Sequence, residues 1–212
     1  MKRTTVEERR AEILDVTCQV VVERGFAATR IADVANKLGV STGLIHYHFE
    51  SKDQLLAEAF LRAATEDVDR LKAEVSKART PIAKLDEVFK LYSPKEAEPG
   101  WMLYIDGWGE ALRSKAIRQI SQDLDIQCKK VLEDIIDEGV SMGVFACDDP
   151  HATAWRLTAL LDGLAVQVTV HDDVLSYRQL LAWVRAAAAA ELGIDVAAFT
   201  ARKKASAGSG AS

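Results

Sequence analysis

Between Arg30 and Phe49 the chain reads RIADVANKLGVSTGLIHYHF, a pattern that few local folds can satisfy. Ile31, Val34, Ala35 and Leu38 fall at i, i+3, i+4 and i+7, the apolar face of a helix. Gly39 follows, where a left-handed residue ends a helix at least steric cost. Ser41 can accept backbone N–H groups and so start a second helix over Thr42 to Tyr47. That helix is too short to bury much. Leu44, Ile45 and Phe49 are available for packing, while Thr42, Gly43, His46 and Tyr47 make a polar edge. Two short helices braced across a glycine turn form a helix-turn-helix. Its second helix can enter the DNA major groove, about 12 Å wide, and present side chains to base edges.

The same residues carry a resemblance. Ile31-Ala32, Val34-Ala35, Leu38-Gly39-Val40-Ser41, Gly43, Ile45-His46-Tyr47-His48-Phe49, Ser51-Lys52 and Leu55-Leu56 are similar, in order, to the DNA-binding domain of TetR-family transcriptional regulators. The likeness reaches back without a gap through Arg10 to Thr29. It implies an all-α protein with a three-helix helix-turn-helix domain at 1–56, an α-helical effector-binding and dimerisation domain at 57–200, and a tail at 201–212. It also implies a DNA-facing set. Thr42, Gly43 and His46 belong at base edges, Thr29, Arg30, Tyr47, His48 and Lys52 toward phosphates, and Ser41 and Leu44 complete the set. Two points stay open: whether Tyr47 packs on its own domain, and which of His46 and His48 faces DNA, since the family usually has an aromatic residue at one of those places.

Composition narrows the alternatives. Of 212 residues, 49% are hydrophobic and 28% charged, ordinary globular values, and prolines are scarce. No apolar run approaches the roughly 18 residues that suggest a membrane span, and the expectation is a cytoplasmic protein without signal peptide or anchor. Cys18, Cys128 and Cys147 are odd in number and far apart, as reduced thiols would be. The net charge is −5, and residues 1–60 carry 8 Lys/Arg against 9 Asp/Glu. DNA binding must therefore rest on a few placed cations, hydrogen-bond donors and helix ends, because bulk charge does not favour it.

Elsewhere the pattern is helical throughout. Residues 2–4 form a short basic arm, either a DNA contact or a frayed terminus. A first helix runs from Val6 to Arg24 with Ile13, Thr17, Val20 and Val21 inward, and Thr29 reads as the N-cap of the second. A long helix is expected from Ser51 to Lys77, either a lever between two sites or merely long. Further helices are expected over Pro81–Tyr92, Trp101–Arg113, Ser114–Met142, Pro150–His171 and Ser176–Leu192, and the tail after Phe199 is small, polar and read as disordered. The last two are apolar on several sides, at Leu157, Leu160, Leu161, Leu164, Val168, Leu180, Leu181, Val184 and Ala186–Ala190. Such helices must be covered on several sides, so a two-fold homodimer through them is expected.

The chemistry-bearing residues also admit plainer roles. Cys147, Asp148, Asp149 and His151 could ligate zinc, but a helix-capping loop accounts for Asp149-Pro150 without metal, and no metal or cofactor is expected. Asp106 and Glu110 are four apart and could act as paired acid and base, yet no nucleophile or cofactor motif accompanies them. An enzyme or ligand-binding protein on an all-α scaffold is the alternative class, and no enzymatic activity is expected. The Trp108–Leu112 and Leu161–Leu164 segments resemble choline-responsive TetR-family repressors of betaine synthesis. Trp101, Tyr104, Ile105, Asp106, Trp108, Glu110, Trp155 and Asp162 are the candidate effector residues. Aromatic faces beside carboxylates suit an amine, polyamine or quaternary ammonium, through cation–π attraction and charge pairing. The competing reading has the aromatics filling core. The expected partners are double-stranded operator DNA, a small-molecule effector and a second copy of the chain.

Overall fold

Capping chemistry decides where the helices begin. The computed structural model of the chain describes residues 5–171 and 173–200; the basic arm at 2–4 and the tail from 201 lie outside these. Among the described residues the fold is all-helical. α1 (Val6–Arg24) opens on a reciprocal cap, the Thr5 hydroxyl accepting the Glu8 N–H and the Glu8 carboxylate accepting the Thr5 N–H. α2 (Ile31–Leu38), α3 (Thr42–His48) and α4 (Lys52–Ser76) follow. α5 (Pro81–Tyr92), α6 (Pro99–Ala111) and α8 (Pro150–Val170) each carry proline in the first turn, where no intrahelical N–H is needed. α7 (Lys115–Ser141), α9 (Tyr177–Leu192) and a 3-10 turn at Val196–Phe199 complete the described elements.

The long helix anticipated after Ser51 is one element of 25 residues. Gly39 takes φ +72°, the left-handed value that lets α2 end and α3 turn away. Two expectations are corrected. α6 begins at Pro99, not Trp101, and stops at Ala111. Thr29 does not cap α2: Arg30 holds that position, with its N–H bonded to the Asp33 carboxylate at 3.0 Å. Thr29 is only 1% exposed, and its N–H and hydroxyl both donate to the Gly25 carbonyl, at 3.1 and 2.8 Å.

Contacts divide the chain into two compact units. Among the described residues, one runs to Val68 and takes in Glu98–Asp125; the other comprises Asp69–Ala97 and the described residues from Ile126 to Thr200. Within the first of these, α6 lies against α1. In the first unit, Ile13, Leu14 and Val20 of α1 meet Val34 and Ala35 of α2, Ile45 of α3, Phe49, and Leu55 and Ala59 of α4. A second cluster joins Val21, Phe26, Leu56 and Phe60 to Leu103 of α6 and Ile117 of α7. Gly107 allows this approach, since a Cβ there would stand 2.9 Å from Phe60 Cζ.

In the second unit α8 and α9 pack along one another and α5 lies on α9. Leu157, Leu161 and Ala165 of α8 and Leu180, Val184, Ala188 and Leu192 of α9 are buried. Arg185 reaches the largely buried Asp86 of α5 at 2.7 Å. No described helix is long and apolar enough to cross a membrane.

Candidate nucleic-acid interface and the aromatic face of α6

α3 presents one face and buries the other. Ser41 accepts the Leu44 N–H at 3.3 Å, which starts the helix, and Ile45 anchors it with no exposed surface. Ser41, Thr42, Gly43 and His46 are exposed, Leu44 is half-buried, and Tyr47 is 75% exposed. Tyr47 therefore lies outside its own domain's core. The two histidines differ in setting. His46 stands at the surface, whereas His48 is half-buried between the rings of Tyr47, at 5.1 Å, and Phe49, at 6.3 Å. Arg30 is exposed at the start of α2. Lys52 Nζ donates to the Ala27 carbonyl at 3.0 Å, and an ammonium retains two further donors. Arg10 braces the far side, paired with Glu58 and lying 4.7 Å over the Phe49 ring. Thr29, unlike the other candidate DNA contacts, is buried, and its hydroxyl donates to the Gly25 carbonyl.

The candidate effector residues do not form one group. Trp101 and Trp108 of α6 meet edge to face, with centroids 6.1 Å apart, and Ile105 lies on the same side of the helix. Asp106 does not join them. At 3.6 residues per turn it points about 160° away from Trp108, and so does Glu110. Its carboxylate instead accepts the Phe26 N–H at 2.7 Å. The carboxylate that does join an aromatic of α6 is Asp67 of α4, which accepts from the Tyr104 hydroxyl, while the Tyr104 ring leans on Phe60 at 5.9 Å. Trp155 and Asp162 belong to the other unit, on α8. There Lys129 Nζ sits 4.0 Å over the Trp155 ring, with His151 on a neighbouring face at 6.1 Å.

Three of the residues considered for zinc have separate partners. Cys147 Sγ lies 3.4 Å from the Thr153 hydroxyl, Asp149 accepts the Ala152 N–H, and His151 Nδ1 is 2.8 Å from Glu133. The hydrogen bond with His151, followed by that from Lys130, holds the Glu133 carboxyl below its ordinary range.

Two family signatures cover most of the chain. Residues 13–59 match the family described as bacterial regulatory proteins of the tetR family, and residues 81–193 match the BetI-type transcriptional repressor C-terminal domain. The chain belongs to the TetR family, with a BetI-type C-terminal domain. Relatives of this TetR-family protein include the regulator BetI of Burkholderia mallei, 28% identical over 185 residues, covering 82% of this chain and 89% of that one. Another is the repressor KstR2 of Mycobacterium tuberculosis, 24% identical over 144 residues, covering 68% and 72%. Among solved structures, a transcriptional regulator from Saccharomonospora viridis in complex with choline is 30% identical. It superposes with a TM-score of 0.78 over 85% of this chain and 95% of that one. The TetR-family protein is thus a DNA-binding transcriptional regulator of a repressor lineage, with a C-terminal ligand-binding domain.

One thiol of the regulator sits between its two N-terminal cores. Cys18 Sγ donates to the Ala59 carbonyl at 3.3 Å, and burial, then the charge of Asp15, pushes its pKa up to about 12. The thiolate is the reactive form. At pH 8 the folded regulator should therefore leave Cys18 unlabelled by a maleimide, whereas denatured protein labels there readily. Peptide mass spectrometry checks this, and rapid labelling in the folded state would contradict the burial of the group.

What the sequence left unseen in the regulator is mostly distant pairing. The turn of α6 that faces α1 was readable from the helical period, because Asp106 is two residues from Trp108. Its partner Phe26 and the pairing of Tyr104 with Asp67 had no local signal.

Proposed function

We propose that the regulator is a homodimeric repressor that holds a pseudo-palindromic operator and releases it on binding a small organic cation. Division of labour follows the sequence reading, with DNA reading at 1–56 and effector binding and dimerisation over 57–200. Thr42, Gly43 and His46 read base edges, flanked by Ser41 and Leu44, while Arg30, Tyr47, His48 and Lys52 face phosphates. The exposure of this side of α3 supports the assignment. In a dimer the two α3 helices address half-sites about 34–36 Å apart. Turnover of a substrate plays no part, and the protein acts in the compartment that holds the DNA.

The observation that carries the effector class is the edge-to-face Trp101–Trp108 pair, joined on the same helix by Tyr104 and its partner Asp67. Aromatic side chains on one helix, with the carboxylate that one of them engages, suit a quaternary ammonium or amine. The choline complex of the 30%-identical relative supports the same class. Dimerisation is assigned to α8 and α9. In the single chain Trp155, Ala159, Gly163 and Val170 of α8 and Ala182, Trp183, Ala186 and Ala190 of α9 are exposed, an apolar surface on both helices. Trp155, Val170 and Trp183 are 46, 53 and 52% exposed, high for such side chains.

The test begins with DNA from upstream of the regulator's own gene, or a fragment selected from random sequence if that fails. A discrete complex should form that survives excess non-specific DNA and weakens steeply with salt. Millimolar choline, then a panel of diamines and quaternary amines, should dissociate it. Release by none of them, together with flat calorimetric titrations, would remove the cationic effector while leaving operator binding intact.

A further inference from the structure

We propose that Asp106 is a positioning residue for DNA reading, holding from α6 the short link that aims α2 and α3. The link runs from Gly25 to Arg30. Gly25 closes α1 through its N–H on the Val21 carbonyl at 2.7 Å, and its own carbonyl accepts both donors of Thr29. Lys52 Nζ holds the Ala27 carbonyl from the start of α4. The Phe26 N–H has a different partner, the Asp106 carboxylate at 2.7 Å, 80 residues distant in sequence. An ionised acceptor makes this bond roughly twice as strong as a neutral one.

The fit around the bond is close. A Cβ on Gly25 would stand 3.3 Å from Asp106 Oδ2, so the carboxylate lies against the link's backbone. Phe26 turns its side chain into the core and meets Phe60 edge to face at 5.6 Å. Gly107, the neighbour of Asp106, lies on that same Phe60 ring. One step of α6 thus touches both the backbone and the side chain of Phe26's surroundings. A displacement of α6 along or about its axis must stretch the bond or crowd Phe60. Either event re-aims the residues that follow, up to the cap of α2 at Arg30. The proposal rests on operator binding by the regulator and is independent of which effector it takes.

The test uses full-length protein and an operator fragment that the wild type has been shown to bind. Affinities for that fragment and for a scrambled one are measured by fluorescence anisotropy, and stoichiometric titration gives the active fraction. Asp106→Ala should raise the operator Kd at least tenfold, with the scrambled-DNA Kd within twofold of wild type. Asp106→Asn keeps a carbonyl oxygen that can accept the Phe26 N–H, and should restore most of the operator affinity. If Asp106→Ala lowers only the active fraction and leaves the ratio of the two affinities unchanged, the residue supports folding alone and the proposal fails. A measurement on the wild type covers the case in which the alanine variant does not fold. Hydrogen exchange at the Phe26 amide should slow at least tenfold on operator relative to scrambled DNA, and equal protection would overturn the assignment.

Discussion

Replacing Phe60 with alanine should lower the stability of the protein by about 3–5 kcal/mol, the usual loss for a fully buried phenylalanine. Phe60 is 1% exposed and is held from three directions. Phe26 meets it edge-on at 5.6 Å, Tyr104 tilts against it at 5.9 Å, and Gly107 of α6 forms the remaining wall. Phe26 sits in the link between α1 and α2 while Tyr104 and Gly107 sit on α6, so they cannot collapse together into the space left by the ring. Urea denaturation should show the loss as a lower midpoint at unchanged slope. The opposite error at the same place should also be costly. Gly107→Ala puts a methyl 2.9 Å from Phe60 Cζ, on a ring that is 1% exposed. Overpacking of this kind costs about 1–3 kcal/mol. The two sites should then be coupled. In a Phe60→Leu background, where the ring's far edge is gone, Gly107→Ala should cost less by about 1 kcal/mol or more. Strict additivity would show that Gly107 is glycine for some other reason.

How far the sequence carried the reading depended on the range of the interactions involved. The helix-turn-helix was legible because its information is local. An apolar period in α2, a left-handed glycine and a serine cap lie within a dozen residues, and the structure contains each of them. Thr29 shows the limit of local chemistry. A threonine before a helix can cap it or bond back to a carbonyl four residues earlier, and only the position of the Gly25 carbonyl decides between them. Asp106 shows the limit of composition. Grouping acids with nearby aromatics by sequence proximity ignored the helical period, which puts Asp106 and Trp108 on opposite sides of α6. Its destination, the Phe26 N–H, depends on how α6 packs on α1, and the sequence has no separate signal for that contact.

Ala186→Glu is expected to convert the dimer into a folded monomer and to weaken operator binding by at least two orders of magnitude. The two sides of α9 differ. Leu180, Leu181, Val184, Ala188 and Ala189 are buried within the chain, while Ala182, Trp183, Ala186 and Ala190 lie on its exposed side. A glutamate at 186 therefore projects from the isolated chain into water, and the monomer's own core is untouched. Across a two-fold interface each copy contributes one glutamate, so two new carboxylates are desolvated at once. The exposed cation of α9, Arg178, is eight residues from position 186, and burial of a charge without a partner is strongly unfavourable. Loss of the dimer removes the second reading helix. Linking two binding modules raises avidity by about 10²–10⁴ over either alone, so that factor should disappear on the full operator. Affinity for a half-site should stay near that of one wild-type α3, which separates this loss from damage to the DNA-binding face. Sedimentation velocity gives the assembly state, and anisotropy on full and half operators gives the two affinities. A variant that stays dimeric and keeps full operator affinity would place the interface elsewhere and leave the exposed tryptophans of α8 and α9 in need of another partner.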